Sequence, residues 1–256
     1  MLIRPVLFLM LTSLMFAPLA SAQDQPKQPV IHFNDGGGGG RMESLFIPPK
    51  TGAPFSMILV TEYTRFLEGG GTLTLTNQRR IMRDSSGRIY QERWLLVPKG
   101  SKVKSFMDVL QVMDPTTHIW YNCDTATKVC NLYPFPLKSD QNYQPALGTS
   151  GPLPNGKGVR QVDDLGPGSA QGEDTHGYRE TITIAAGVLG NDRPIVATRE
   201  FWFCPRLGIN LISTVDDPQT GKQVFTVTDF STSEPEPSFF QPPAGYKLVD
   251  KRNGTN

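Results

Sequence analysis

RPIVATREFWFCPRLGINLISTVDDPQTGKQVFTVTDFSTSEPEPSFFQPPAGY, residues Arg193–Tyr246, decides the fold class. Val196, Thr198, Glu200 and Trp202 alternate with Ile195, Ala197, Arg199, Phe201 and Phe203. That period of two belongs to a half-buried strand, since successive side chains of a pleated backbone point to opposite faces. Ile209–Val215 and Gln223–Phe230 repeat the pattern on either side of Asp216-Asp217-Pro218-Gln219-Thr220-Gly221. In that turn proline pre-sets φ and glycine supplies a positive φ. The stretch therefore reads as successive antiparallel strands with a proline-rich exit. It holds no catalytic motif.

The same alternation extends back towards the N-terminus. Phe55–Phe66 leads through Leu67-Glu68-Gly69-Gly70-Gly71 into Thr72–Met82, and Arg83–Gly87 turns the chain into Arg88–Val97. Phe106–Met113 and His118–Cys123 flank an Asp114-Pro115 turn, and Lys128–Tyr133 completes a meander. Asp174–Ala185 is a further strand and Gly158–Leu165 a short one, whereas Pro134–Gly158 is a long Pro/Gly-rich insertion, because proline cannot donate to a ladder. Helices are expected to be few and short, near Asn142–Leu147 and Pro237–Phe240. The expectation is a mainly β protein, a single curved antiparallel sheet (half-barrel) of about ten strands with few short helices.

Residues 1–22 read as a signal peptide: Arg4, then an apolar run from Val6 to Leu19, then Ala20-Ser21-Ala22. Residues 23–41 read as a flexible Gly-rich leader, 42–251 as one β-rich domain carrying the insertion at 134–158, and 252–256 as a tail. The expected location is outside the cytoplasm, periplasmic or secreted, with no transmembrane segment in the mature chain. Loss of Arg4 would bring 25 basic residues to 24, against 24 acidic ones. A neutral chain argues against nucleic acid, whose affinity comes mostly from clustered Lys and Arg on phosphates.

Cys123 and Cys130 flank a hairpin turn, so in an oxidising compartment they read as a cross-strand disulfide, with two buried thiols as the alternative. Cys204 is left over. No CxxC, histidine pair, G-x-S-x-G or H-E-x-x-H pattern occurs, so no catalytic residue, metal site or cofactor is expected. His32, His118 and His176 stand apart from any nucleophile in sequence, and Asp163-Asp164 and Asp216-Asp217 read as turn carboxylates.

Several motifs carry a resemblance. Arg83–Arg88, Glu92-Arg93, the Asp114-Pro115 turn with Trp120-Tyr121, Gly177–Thr181, Gly190–Ile195, Glu200-Phe201-Trp202, Asp217–Gly221, Glu234–Pro237 and Phe240–Tyr246 together resemble a family of exported proteins abundant in Acidobacteria with no assigned activity. Phe203-Cys204 stands where that family has a Tyr-Ser pair, and the Pro134–Gly158 insertion is a second departure. The resemblance implies a sheet similar to that of the periplasmic lipoprotein carriers of the LolA and RseB kind. On it rests an expected apolar face lined by Phe55, Met57, Leu59, Phe106, Met107, Trp120, Trp202, Phe203 and Phe225. With the insertion as a lid, that face would bind a lipid or a lipoprotein acyl chain without chemistry. A structural or protein-interaction module of the cell envelope is the alternative, and a hydrolase with a site assembled only in space is the third reading.

Overall fold

Alternating β-branched, aromatic and polar residues take the chain into strands from Phe55 onward. The computed structural model describes residues 45–139, 145 and 147–252. The chain divides into two units, Met1–His32 and Phe33–Asn256, and everything below belongs to the second. The expected signal peptide, most of the leader and the expected helix near Asn142–Leu147 lie largely outside the described residues.

The strands are β1 (Phe55–Phe66), β2 (Thr72–Arg83), β3 (Ile89–Trp94), β4 (Val97–Pro98), β5 (Met107–Asp114), β6 (Ile119–Asp124), β7 (Val129–Pro134), β8 (Gly151–Pro152), β9 (Gly158–Ala170), β10 (Glu173–Ile184), β11 (Ile195–Cys204), β12 (Ile209–Asp217), β13 (Gly221–Ser231) and β14 (Lys247–Asp250). They form one open sheet of fourteen strands in the order β14-β7-β6-β5-β3-β2-β1-β13-β12-β11-β10-β9-β8, with β4 pairing β2 off this path. All neighbours are antiparallel except β14 and β7. The mainly β, single-sheet expectation holds, with fourteen strands rather than about ten. Helical structure among the described residues is limited to three short 3-10 turns, at Glu68–Gly70, Pro154–Gly156 and Pro237–Phe240.

The order describes two meanders. β1 to β7 run outward from β1 in one direction, β8 to β13 return from the far edge, and the two meet where β13 pairs with β1. The third return turn, from Asp217 to Gly221, behaves as its sequence requires. Gly221 has φ +113°, and a Cβ there would stand 2.5 Å from the Thr64 carbonyl oxygen of β1, so only glycine fits without strain. β9 is the main departure. It runs thirteen residues rather than ending near Leu165, despite Gly166-Pro167-Gly168. β8 covers it only at Val159 and Arg160, and an uncovered edge tolerates proline's missing N–H.

Antiparallel partners share a face, which sorts the side chains. One face carries Phe55, Met57 and Leu59 of β1 with Arg83, Ile81 and Arg79 opposite on β2 and Val227 opposite on β13. It holds an apolar cluster completed by Leu45, Ile47, Phe135, Leu207, Ile209 and Leu211. The opposite face carries a second cluster of Met82, Tyr90, Leu110, Val112, Cys123 and Cys130, capped by Phe240 from the C-terminal segment. Each face thus has its own cover. The β7–β8 connection places Phe135 and Leu137 on the first cluster, and the β13–β14 strap places Phe239, Phe240 and Tyr246 on the second.

Arg83 fastens the first face. It is fully buried, and its guanidinium donates to the Pro48 carbonyl at 2.8 Å, twice to that of Ala53 at 2.7 and 3.0 Å, and to that of Leu207 at 2.9 Å. It also lies 5.0 Å from the centre of the Phe55 ring. Burial lowers its pKa to about 10, so it keeps its charge at neutral pH. Cys123 and Cys130 form a disulfide across β6 and β7, and Cys204 is a buried free thiol.

Candidate functional site

The ladder between β2 and β3 opens part-way along. β3 pairs only with Ile81–Arg83, and β4 pairs only with Leu75 and Thr76. Between them, residues 77–80 of β2 have no strand on that side, and side chains take over the missing bonds. Asn77 Nδ2 donates to the Trp94 carbonyl at 2.6 Å. The Arg80 backbone N–H donates to Glu92 Oε2 at 3.2 Å. Glu92 also accepts from the Trp94 indole at 2.8 Å and from the Tyr90 hydroxyl at 2.9 Å. A carboxylate engaged by three donors is a structural acceptor that replaces a strand. Burial, followed by the Glu92 charge, pushes the Tyr90 phenol upward, so Tyr90 stays a donor.

At this split lies a cavity of about 440 Å³ lined by Ile58, Thr76, Asn77, Gln78, Arg79, Arg80, Glu92, Trp94, Val97 and Ser105, with more apolar than polar surface. Its size falls in the range of roughly 300–1,000 Å³ usual for small-molecule sites. A second cavity of about 450 Å³ adjoins it across Ile58 and Arg80, between β1, β2 and the strap residues Ser233–Glu236 and Phe239. Asp229, Glu234 and Glu236 make this second cavity acidic. Glu234 is committed to the Ser85 backbone N–H at 3.0 Å and to the Ser85 hydroxyl. Arg80 stands between the two with its guanidinium 5.8 Å from the Phe239 ring centre.

The residues expected from sequence are distributed differently. Phe55, Met57, Leu59 and Phe225 do share one face, where they are at most 3 % exposed within the apolar cluster, and Trp120 packs against the same cluster. Phe203 is buried next to the β11–β12 bulge. Trp202 lies on the opposite face, its ring directly over Gly168 and Gly177. Phe106 sits before β5 and is 57 % exposed, and Met107 packs against the second cluster. Along the first face, beyond its apolar cluster, runs a buried polar row. Gln91 donates to Gln111 Oε1 at 3.1 Å, as does Arg93, and Gln111 donates on to Asn122 at 2.9 Å. Burial lowers both Arg79 and Arg93 to about 10.

Asn77, Arg80, Glu92 and Trp94 were not among the expected site residues. Glu92-Arg93-Trp94 was visible only as a charged interruption of an apolar alternation, and the parting of two strands leaves no local signal. Among the described residues no group of three or more His, Cys, Asp and Glu side chains could hold a metal ion, and no helix is long and apolar enough to cross a membrane. His176 meets Asp164 across β10 and β9. The Gly166 N–H and the His176 ring hold that carboxyl below its ordinary range.

No family model matches the chain, and no curated protein matches it in sequence. The resemblance to exported acidobacterial proteins therefore gains no support. Similar solved structures include MucB, at 13% identity over 77% of this chain and 60% of that one with a TM-score of 0.36. Another is the MucA/MucB complex of Pseudomonas aeruginosa, at 14% identity over 77% and 58% with a TM-score of 0.37. A LolA superfamily protein from Nitrosomonas europaea is similar at 7% identity over 74% and 90% with a TM-score of 0.30. The chain spans about 60% of the length of the first of these.

Proposed function

We propose that this protein binds a single-chain amphiphile, an acyl chain or its like, without catalysing a reaction on it, and that the cleft where β2 and β3 part is the site. One observation carries the reading: the cavity is lined mainly by apolar surface from Ile58, Trp94 and Val97, while its carboxylate, Glu92, is consumed by three hydrogen bonds. A general base must be within reach of a substrate proton, and Glu92 is held by the protein's own donors instead. What the cleft offers a ligand is desolvated apolar contact with a few polar groups at its margin, the usual composition of a binding pocket. Export to the periplasm or beyond belongs to the same reading and rests on the charged, apolar and small-residue pattern of residues 1–22.

The test is titration of delipidated protein with a fluorescent fatty-acyl probe, read both by the probe and by Trp94 emission. Saturable one-to-one uptake is expected, and Val97→Glu, which places a charge at the apolar margin, should abolish it while leaving the circular dichroism spectrum unchanged. Folded wild-type protein that takes up no acyl probe would overturn the reading.

A further inference from the structure

Asn77 is 6 % exposed and lines the cleft. Its amide orientation is dictated by a neighbour. The Trp94 carbonyl can only accept, so the amide nitrogen must face it, as the 2.6 Å contact shows. The amide oxygen is thereby turned away, and Asn77 Oδ1 is buried without a hydrogen-bond partner. Buried acceptors are almost always paired in folded proteins, so an orphan whose polarity is fixed, at the wall of a cavity, marks a place where something else donates.

We infer that the amphiphile held in the cleft carries a hydrogen-bond donor at its polar end, a hydroxyl or an amide N–H, and delivers it to Asn77 Oδ1. This rests on the cleft being the binding site for an acyl chain. The competing feature is cationic, since Arg79 and Arg80 both line the cavity and would attract a carboxylate. Arg80 is exposed and already has the negative charge of Glu92 beside it, and an ion pair in that setting changes affinity by about five-fold at most. Satisfying a buried orphan acceptor changes it by roughly ten-fold or more. A carboxylate also has no proton to give Asn77 and would set oxygen against oxygen. The magnitudes therefore favour a neutral donor over an anion.

Four ligands of one chain length decide the matter by calorimetry on the wild-type protein: the fatty alcohol, the primary amide, the methyl ester and the carboxylate. The alcohol and amide are expected to bind about ten-fold tighter than the ester, and at least as tightly as the carboxylate. In Asn77→Ala the alcohol, amide and ester should converge. Ester binding equal to that of alcohol and amide, or a carboxylate that binds tightest, would overturn the inference while leaving the cleft as an acyl site. If none of the four binds, the underlying reading fails as well. Should Asn77→Ala not fold, the wild-type series is decisive alone.

Discussion

Arg83 shows how a charged residue can hold an apolar face together. Its partners are all carbonyl oxygens, from Pro48, Ala53 and Leu207, segments 35 residues before it and 124 after it in the chain. No carboxylate balances the charge in these bonds, so the stabilisation comes from several charge-assisted hydrogen bonds acting together, each stronger than a neutral one. Replacing the side chain with a methionine keeps much of the volume but strands those carbonyls away from water, and each unsatisfied group costs about 1–3 kcal/mol. Arg83→Met is therefore expected to lower the unfolding free energy by roughly 3 kcal/mol or more, measured by urea denaturation. Arg83→Lys should recover only part of the loss, because an ammonium concentrates its donors at one atom and cannot span three separate acceptors. A methionine variant as stable as wild type would show that the carbonyls find water.

At the scale of elements, the clearest packing relation outside the two cores is Trp202 of β11 lying across Gly168 of β9 and Gly177 of β10. A Cβ added at Gly168 would fall 2.3 Å from the indole, and one at Gly177 would fall 2.9 Å away. The two glycines are a slot for the ring, on the face opposite Phe201. Gly168→Ala should cost about 1–3 kcal/mol through overpacking, and combining it with Trp202→Leu should cost less than the sum of the two, since the residues couple through one contact. Additive effects, read from paired thermal melts, would mean the ring moves aside freely. Much of this architecture was legible beforehand: the alternation of Phe55–Phe66 and Ile195–Cys204 marks strands, and Pro218 with Gly221 marks the turn between β12 and β13. β9 was legible only in its first half. Leu165-Gly166-Pro167-Gly168 has the composition of a loop, and it becomes strand because an open edge excuses the proline and Trp202 needs the glycines. Two short stretches, β4 and β8, have no pattern at all, being held by neighbours rather than by their own alternation. The cleft was not legible for a related reason. It arises where Trp94 and Val97 part from β2, a matter of register between strands, and Asn77 becomes informative only once the Trp94 carbonyl has fixed which way its amide turns.

Across the whole described body, the sheet is two meanders joined along β1 and β13, and the half from β2 to β7 depends on the strap for its second core. Phe240 is 4 % exposed against Met82, Tyr90, Leu110 and Val112, Tyr90 meets Phe239 edge to face at 5.3 Å between ring centres, and β14 then completes the edge beside β7. Losing a buried aromatic side chain costs about 3–5 kcal/mol, a large share of the 5–15 kcal/mol that holds a typical domain. The first face draws on other segments, through Leu45, Ile47 and Phe135. Truncation after Ser233 should therefore loosen the molecule unevenly. In native-state hydrogen exchange the amides of Leu110, Val112 and Cys123 are expected to lose protection first, while those of Leu59, Leu211 and Phe225 stay slow. The Cys123–Cys130 bond limits how far β6 and β7 can separate, so reduction of the truncated protein should widen the difference. A uniform rise in exchange across both groups would mean instead that the two faces unfold as one cooperative unit, with the strap stabilising β12 and β13 as much as the strands it touches.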